Sequence, residues 1–317
     1  MAPRRIGSIA FLAGLSLLSL VVCARPQASP SSLNARLFAA VEKGDVASAQ
    51  SLLREGADVN AENRDGWTLM DLAAGRGDVK MARLLLDSGA NVYARNSEDR
   101  TALDVAVVAQ QAPVVELLLQ KGIDRKTLNE TLFEAIRGLP VVVVIGPAGK
   151  NASSSQAVPP NPVVTLLIDK GADINARDEE GASPLEDAAA YGQTSSAESL
   201  LEKNADIEAR DNFGNTPLLA ASYDNAVATM PDTIDTVNLL LEKGADINAR
   251  NNDGDTALII ASGGGVVKTQ IVKTLIEHGA DLRVKNKKGE TALMIAEEAQ
   301  LPDVIQLLKA ALQSKRQ

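Results

Sequence analysis

One segment of this chain has the residue types that could form a phosphate-binding loop. From Val141 to Lys150, a short apolar run leads into glycines and ends in a Gly-Lys pair, as where a strand enters a Walker loop. Such a loop also requires Gly five residues before the Gly-Lys pair and Ser or Thr directly after it. Those positions hold Val144 and Asn151, and two prolines soon interrupt the helix that should follow. We therefore interpret the segment as the apolar base of a loop, and nucleotide binding or an enzymatic role centred on residues 141–151 is the alternative.

Side chains for other catalytic or metal chemistry are scarce. The 317 residues include one Cys and one His: Cys23 lies in the N-terminal apolar stretch and His278 near a predicted helix end. The sequence therefore offers no disulfide framework, no Cys/His zinc site and no Ser-His-Asp or Cys-His arrangement. Many acidic residues occupy a recurring Gly-Ala-Asp position, where a carboxylate can accept backbone hydrogen bonds in a turn. These are Asp58, Asp173, Asp246 and Asp281. We predict a protein that is not an enzyme and that uses no cofactor and no metal.

Residues 1–28 have the features of an export signal. Two arginines precede an apolar run, Ile6–Val22, and small residues offer a cleavage point after Ala24. The alternatives are an uncleaved membrane anchor, for which the run is marginally long, and a lipid-modified Cys23 in a sequence that resembles a bacterial lipobox. We expect an extracytoplasmic protein, periplasmic or secreted, and membrane anchoring by the N-terminal segment is the alternative.

Composition favours helices packed on helices. Hydrophobic residues make up 45% of the chain but aromatic residues only 3%, and Ala and Leu supply most of the apolar side chains. A β-sandwich would instead need alternating β-branched and aromatic residues. The formal net charge is −9, and loss of the two leader arginines would make it −11. Such a surface should repel nucleic acid and anionic lipid, so we expect membrane contact only through an uncleaved or lipidated N-terminal segment.

A sequence repeat sets the organisation of the chain. The segment Leu-Leu-Arg-Glu-Gly-Ala-Asp-Val-Asn at Leu52 returns with small changes at Leu85, Leu167 and Leu240. Its Gly recurs at a base spacing of 33 residues, with longer spacings where residues are inserted, and Asn204 takes its place once. Gly readily adopts the left-handed conformation that ends a helix, and Asn tolerates it best among the other residues. Each unit thus predicts two short helices, which must stack on their neighbours to bury their apolar faces.

A second phrase keeps the same period and carries a family resemblance. Gly-Asn-Thr-Pro-Leu opens one unit at Gly214, and Gly-x-Thr-Ala-Leu opens others at Gly254 and Gly289. The period and this phrase resemble ankyrin repeats, in an exported bacterial member of that family. The resemblance implies an all-α ankyrin-repeat solenoid of about eight stacked helix-turn-helix units with short β-hairpin loops. The family's His, which helps tie adjacent loops, is replaced throughout, by Asp71, Asp104, Glu186, Leu219, Ile259 and Met294.

The predicted organisation has four parts. They are a signal segment, a short linker, an ankyrin-repeat domain and a tail, at residues 1–28, 29–32, 33–311 and 312–317. The fourth unit lacks its opening hairpin and carries a Pro- and Ser-rich inserted loop at 139–161. Shorter insertions occur around residues 226–232 and 263–265. All three fall between the first and second helix of a unit, so they should emerge on one edge, where neutral drift and a role in contact explain them equally well.

In ankyrin repeats, partner contacts come from the hairpin tips and the inner face of the first helix. The matching positions here, which we take as candidate protein-binding residues, are Arg64, Trp67, Arg76, Arg100, Tyr191, Phe213, Asn215, Tyr223 and Asp255. Four of them are aromatic, in a chain with few aromatic residues, and aromatic side chains are the commonest anchors of protein interfaces. The alternative is that Trp67 and Phe213 only cover neighbouring hairpins. We therefore predict a scaffold or adaptor for an unidentified protein partner, and a purely architectural spacer is the other reading.

Overall fold

The computed structural model describes residues 33–138, 161–223, 232–264 and 266–314. The predicted leader, the linker and the segment at 141–151 lie outside these described residues. The described part of the chain forms sixteen α-helices and no strand. The helices are α1 Leu33–Lys43, α2 Val46–Arg54, α3 Leu69–Arg76, α4 Val79–Asp87, α5 Ala102–Val108, α6 Ala112–Leu119, α7 Arg125–Arg137, α8 Pro162–Asp169, α9 Pro184–Ala190, α10 Thr194–Glu202, α11 Pro217–Ala221, α12 Asp232–Glu242, α13 Ala257–Ala261, α14 Val266–Glu277, α15 Ala292–Glu298 and α16 Pro302–Ser314.

The helices form eight consecutive pairs stacked in two layers. The first helix of each pair packs against the first helices of the neighbouring units, as α9 does against α7 and α11. The second helices form the other layer in the same way, with α10 packed between α8 and α12. This confirms the predicted all-α stack of about eight units. The last helix continues to Ser314, so the predicted tail from residue 312 begins inside it.

Threonine hydroxyls cap the N-termini of the first helices in the second and third units. The hydroxyls of Thr68 and Thr101 cap α3 and α5 and accept the N–H groups of Asp71 and Asp104. Each aspartate also accepts the backbone N–H of its threonine, at 2.8 Å and 2.9 Å, which completes a capping box. Asp71 and Asp104 stand where the resembling family has His, so a carboxylate closes the helix start at these positions. Because Asp71 is buried, desolvation raises the pKa of its carboxyl group.

Left-handed residues end the second helices at the repeating position. The glycines there have φ between 85° and 103°, and Asn204 has φ 66°. A side chain with a Cβ atom is disfavoured in this conformation, and Asn is among the residues that adopt it most readily. The substitution of Asn for Gly in this one unit therefore keeps the same turn, as the sequence predicted.

The fourth unit is built differently from the others. Its first helix, α7, begins directly after the preceding loop and runs for 13 residues, so the opening hairpin is absent, as predicted. The second helix, α8, begins at Pro162, and its N-cap residue Asn161 is buried. The backbone N–H and side-chain amide of Asn161 donate to the hydroxyls of Ser199 and Ser196 in α10, at 2.7 Å and 3.2 Å. The chain therefore re-enters the stack after the inserted segment at a point fixed to the fifth unit.

The core consists of leucine, alanine and valine side chains shared between units. Leu132, Leu185 and Leu200 are fully buried, in α7, α9 and α10. Short helices of this kind derive their stability from packing on neighbours and not from helix propensity. Among the described residues, no helix is long and apolar enough to cross a membrane.

Candidate protein-binding surface

Each hairpin is organised by its first residue. Hairpins are numbered here by unit: hairpins 2, 3, 5, 6, 7 and 8 span 63–67, 96–100, 178–182, 211–215, 251–255 and 286–290. In all six, the side-chain oxygen of the first residue, Asn or Asp, accepts backbone N–H groups two and four residues later. In hairpin 6, Asp211 accepts the N–H groups of Phe213 and Asn215 at 2.8 Å and 2.7 Å. The tips are thereby held in a fixed conformation.

Neighbouring hairpins are bonded into a row. The carbonyl of Phe213 accepts the N–H of Asn252 at 2.9 Å, and equivalent backbone bonds join hairpins 2 and 3, 5 and 6, and 7 and 8. Three arginines strengthen the row, because each donates both to its own hairpin and to the carbonyl of a residue in the next unit; they are Arg177, Arg210 and Arg250. Among the described residues, no such bond joins hairpins 3 and 5. The row is therefore interrupted where the fourth unit lacks a hairpin.

A buried ion-pair cluster occupies the interruption. The guanidinium of Arg137, at the end of α7, donates to Asp178 in hairpin 5 at 2.5 Å and also to Asp187 in α9. It lies over the ring of Phe133, 5.0 Å from the ring centre. Burial raises the pKa of Asp187 to about 6, and the charge of Arg137 opposes the rise. Arg137 thus joins α7 directly to the fifth unit, where a hairpin would otherwise make the connection.

A pair of carboxyl groups follows at the next junction. Glu186 is 4% exposed, next to Asp187 in α9, and reaches Asp211 at the base of hairpin 6. No N–H or hydroxyl group donates to its Oε2 atom. Desolvation, followed by the charge of Asp211, raises the pKa of Glu186 to about 9. Glu186 is therefore protonated at neutral pH.

Amide and hydroxyl groups connect the remaining hairpins. The Asn215 side-chain oxygen accepts the hydroxyl of Tyr223 and the amide of Asn251, both at 3.2 Å, and the same amide donates to the Tyr223 hydroxyl at 3.0 Å. The amide of Asn286 donates to Asp255 and Glu290 at 2.9 Å and 3.0 Å. These bonds tie adjacent loops together, which in the resembling family is a task of the replaced His.

Some of the predicted contact residues are exposed, and others are half-buried and bonded to neighbouring side chains. Phe213 is 48% exposed at the tip of hairpin 6, and Arg64 and Arg76 are exposed at hairpin 2 and the end of α3. Tyr191 is half-buried at the end of α9, where burial and then Asp187 raise the pKa of its hydroxyl. Arg100, Tyr223 and Asp255 are also half-buried, and each bonds to neighbouring side chains: Arg100 to Glu98 at 3.4 Å, the other two as above.

Two placements were wrong. Trp67 is 8% exposed and belongs to the core, because hairpin 2 folds its ring inward against the stack. Asn215 is also 8% exposed, because its side chain is the acceptor that joins hairpins 6 and 7. An outward position in the repeat therefore does not imply an outward side chain.

Comparison with known proteins agrees with this geometry. A family model of three ankyrin repeats matches residues 37–129, 154–250 and 226–315. The chain belongs to the ankyrin-repeat family. No curated protein matches it. Ankyrin repeats generally mediate protein–protein interactions, so the family membership of this chain supports a protein partner.

The sequence of this ankyrin-repeat protein did not single out the ion-pair cluster. Arg137 aligns with the inner-helix positions 76 and 191. The sequence does not indicate it as a contact residue, because its unit lacks the hairpin that marks the register. A signal was present: hairpins 5 and 6 begin with Asp178 and Asp211, whereas the other four begin with Asn. Both aspartates are half-buried. A carboxylate withdrawn from water favours a cation or a shared proton, which Arg137 supplies to Asp178 and Glu186 to Asp211. Among the described residues, no group of three or more His, Cys, Asp or Glu side chains is placed to hold a metal ion.

Proposed function

We propose that this ankyrin-repeat chain is an exported scaffold that binds another protein through its hairpin tips and the inner ends of its first helices, without catalysis. Phe213 carries this proposal, since it presents a half-exposed ring on a tip held from both sides. Its N–H donates to Asp211 and its carbonyl accepts from Asn252. A rigid aromatic side chain loses little conformational entropy on binding and is typical of an interface anchor.

The surrounding surface supports a contact area larger than one ring. Tyr191 lies one unit away on the inner helix ends, and Arg64 and Arg76 extend the same surface toward the N-terminus. Exposed acidic residues, Glu179 and Glu180, stand at the neighbouring tip of hairpin 5. This mixture of aromatic, basic and acidic groups is suited to recognition of a folded protein surface.

A pull-down experiment tests the proposal. We expect the double variant Phe213→Ala, Tyr191→Ala to lose its partner, with affinity reduced by a factor of about 30 or more if both rings are anchors. Tyr93→Ala is a matched control, because Tyr93 is an aromatic residue, 61% exposed in the loop after α4, that is not among the predicted contact residues. Equal recovery of every partner by the folded double variant and by the control would refute the proposed surface.

Export is proposed from the leader sequence alone. Two arginines, an apolar run and small residues before Arg25 support it. Mass spectrometry of the native N-terminus should give a mature chain that starts at Arg25. A lipid adduct on Cys23 or a retained Met1 would replace secretion with one of the two membrane-anchored alternatives.

A further inference from the structure

The junction between the fifth and sixth units brings a buried carboxyl group, that of Glu186, against a half-buried one, that of Asp211. Glu186 lies in the first turn of α9, where its backbone N–H donates to the hydroxyl of Ser183 at 3.2 Å. Its side chain meets Asp211 of the next unit. The Asp211 carboxylate already accepts three N–H groups, two from the backbone and one from the Asn215 amide at 2.8 Å. Since these bonds require acceptor oxygens on Asp211, the proton of the pair lies on Glu186, whose hydroxyl then donates to Asp211.

Among the described residues, no lysine or arginine forms an ion pair with Glu186 or Asp211. The guanidinium of Arg137 is bonded to Asp178 and Asp187. Asp187 adds negative charge next to Glu186, and Glu180 adds negative charge around Asp187. Helix α11, which packs on α9 from the sixth unit, has the sequence Pro-Leu-Leu-Ala-Ala and contributes no ionisable side chain. Loss of the proton would therefore leave the buried carboxylate of Glu186 in contact with the half-buried carboxylate of Asp211, without a bonded cation to compensate them.

The corresponding positions of other units avoid this arrangement. In the second and third units the pair is Asp71 and Asn96, a carboxyl and an amide. In the sixth and seventh units the first-helix residue is Leu219, and Asn251 finds amide and hydroxyl partners. Two carboxyl groups meet only at the junction of units five and six among the hairpin junctions described.

We propose that a proton shared between Glu186 and Asp211 closes the joint between the fifth and sixth units, so that the array loosens there when the proton is lost. The joint lies between Tyr191 and Phe213, so loosening it changes the spacing of hairpins 5 and 6. The device is independent of partner identity and of the proposed binding surface.

The direction of the pH effect follows from the buried position. The pKa of Glu186 is raised in the folded chain to about 9, above its ordinary value of 4.5. A carboxyl group of this kind contributes stability that is complete below the ordinary pKa and is lost as the pH rises through the folded-state pKa. One proton is involved, so the equilibrium constant for opening the joint can rise by at most tenfold per pH unit, between about pH 4.5 and pH 9.

Two variants and a control of the full-length chain test this device. Glu186→Gln supplies an amide that donates to Asp211 without a proton to lose, and Asp211→Asn supplies the amide found at the equivalent position of four other hairpins. Amide hydrogen exchange of the peptides that span α9 and hairpin 6 should be measured from pH 7 to pH 9, above the pKa of about 6 of the neighbouring Asp187, and corrected for the intrinsic pH dependence of exchange. Glu179→Gln removes the same charge from an exposed hairpin position and serves as the control.

The expected result is a loss of protection in the wild type and in Glu179→Gln as the pH rises, up to tenfold per pH unit. In Glu186→Gln the protection of these peptides should be nearly independent of pH over this range. In Asp211→Asn burial still raises the pKa of Glu186, but the charge of Asp211 no longer adds to it, so the loss of protection should be smaller than in wild type and should level off at a lower pH. The wild-type slope in folded Glu186→Gln, or the full wild-type loss in Asp211→Asn, would overturn the proposal.

Discussion

Leu185→Ala should lower the free energy of unfolding by about 3 kcal/mol. Leu185 is completely buried in α9, the first helix of the fifth unit. This helix packs against α7, α10, α11 and α12, so it contacts the units on both sides of its own. Truncation to Ala leaves a cavity whose walls belong to separate helices and collapse only in part. Urea unfolding followed by far-UV circular dichroism measures the loss.

A leucine at the end of the array provides the matched control. Leu307 lies in α16, the last helix of the described residues, and is only half-buried. Leu307→Ala should therefore lower the free energy of unfolding by about 1 kcal/mol. If both variants lost the same amount, the burial of Leu185 between neighbouring units would not be the source of its contribution.

Arg137→Met should lower the free energy of unfolding by about 3 kcal/mol. Met keeps much of the length and apolar stem of Arg but removes the charge that Asp178 and Asp187 share. Asp187 is 7% exposed, so its carboxylate would remain in a poorly solvated position without a cation. The fourth unit has no hairpin to replace the lost connection. Thermal and urea unfolding of the variant, compared with wild type at pH 7, measure the effect.

An exposed ion pair with a similarly short contact is the control for Arg137. Lys203 contacts Asp169 at 2.5 Å, and both side chains are more than one-third exposed. Lys203→Ala should change stability by about 0–1 kcal/mol, since exposed pairs are screened by water and salt. A loss in Arg137→Met no larger than that in Lys203→Ala would show that the cluster does not hold the fourth and fifth units together.

The regular part of the fold could be predicted well from the sequence, because each repeat needs the same residue types at the same spacing and so shows the pattern several times. Asn204 was assigned a left-handed conformation from its place in the series of glycines, and φ is 66° there. The hairpin missing before α7 was also predicted, since the distance from Gly122 to Leu128 leaves no room for one. Both inferences depend on spacing along the chain, which the sequence contains directly.

The orientation of individual side chains was predicted less well. Trp67 and Phe213 occupy similar positions at hairpin tips, yet the first is 8% exposed and the second 48%. The difference depends on how each hairpin packs on its neighbour, which period and residue type do not determine. Arg137 was missed for a similar reason, because its partners Asp178 and Asp187 lie 41 and 50 residues further along the chain. Pairings across an interrupted repeat have no fixed spacing to reveal them.

Each unit is stabilised by packing on its immediate neighbours, so the surface presented to a partner is a row of hairpins that are each supported by the adjacent units. Trp67, the only Trp of the chain, is buried in the second unit and reports on the N-terminal end of the stack. The decisive measurement is urea unfolding of Leu185→Ala followed by Trp fluorescence and by far-UV circular dichroism in parallel. We expect the dichroism transition to broaden or divide, while the fluorescence midpoint stays close to that of wild type. A single transition, with both midpoints lowered equally, would mean that the chain unfolds as one cooperative body and would contradict a stack held by neighbours alone.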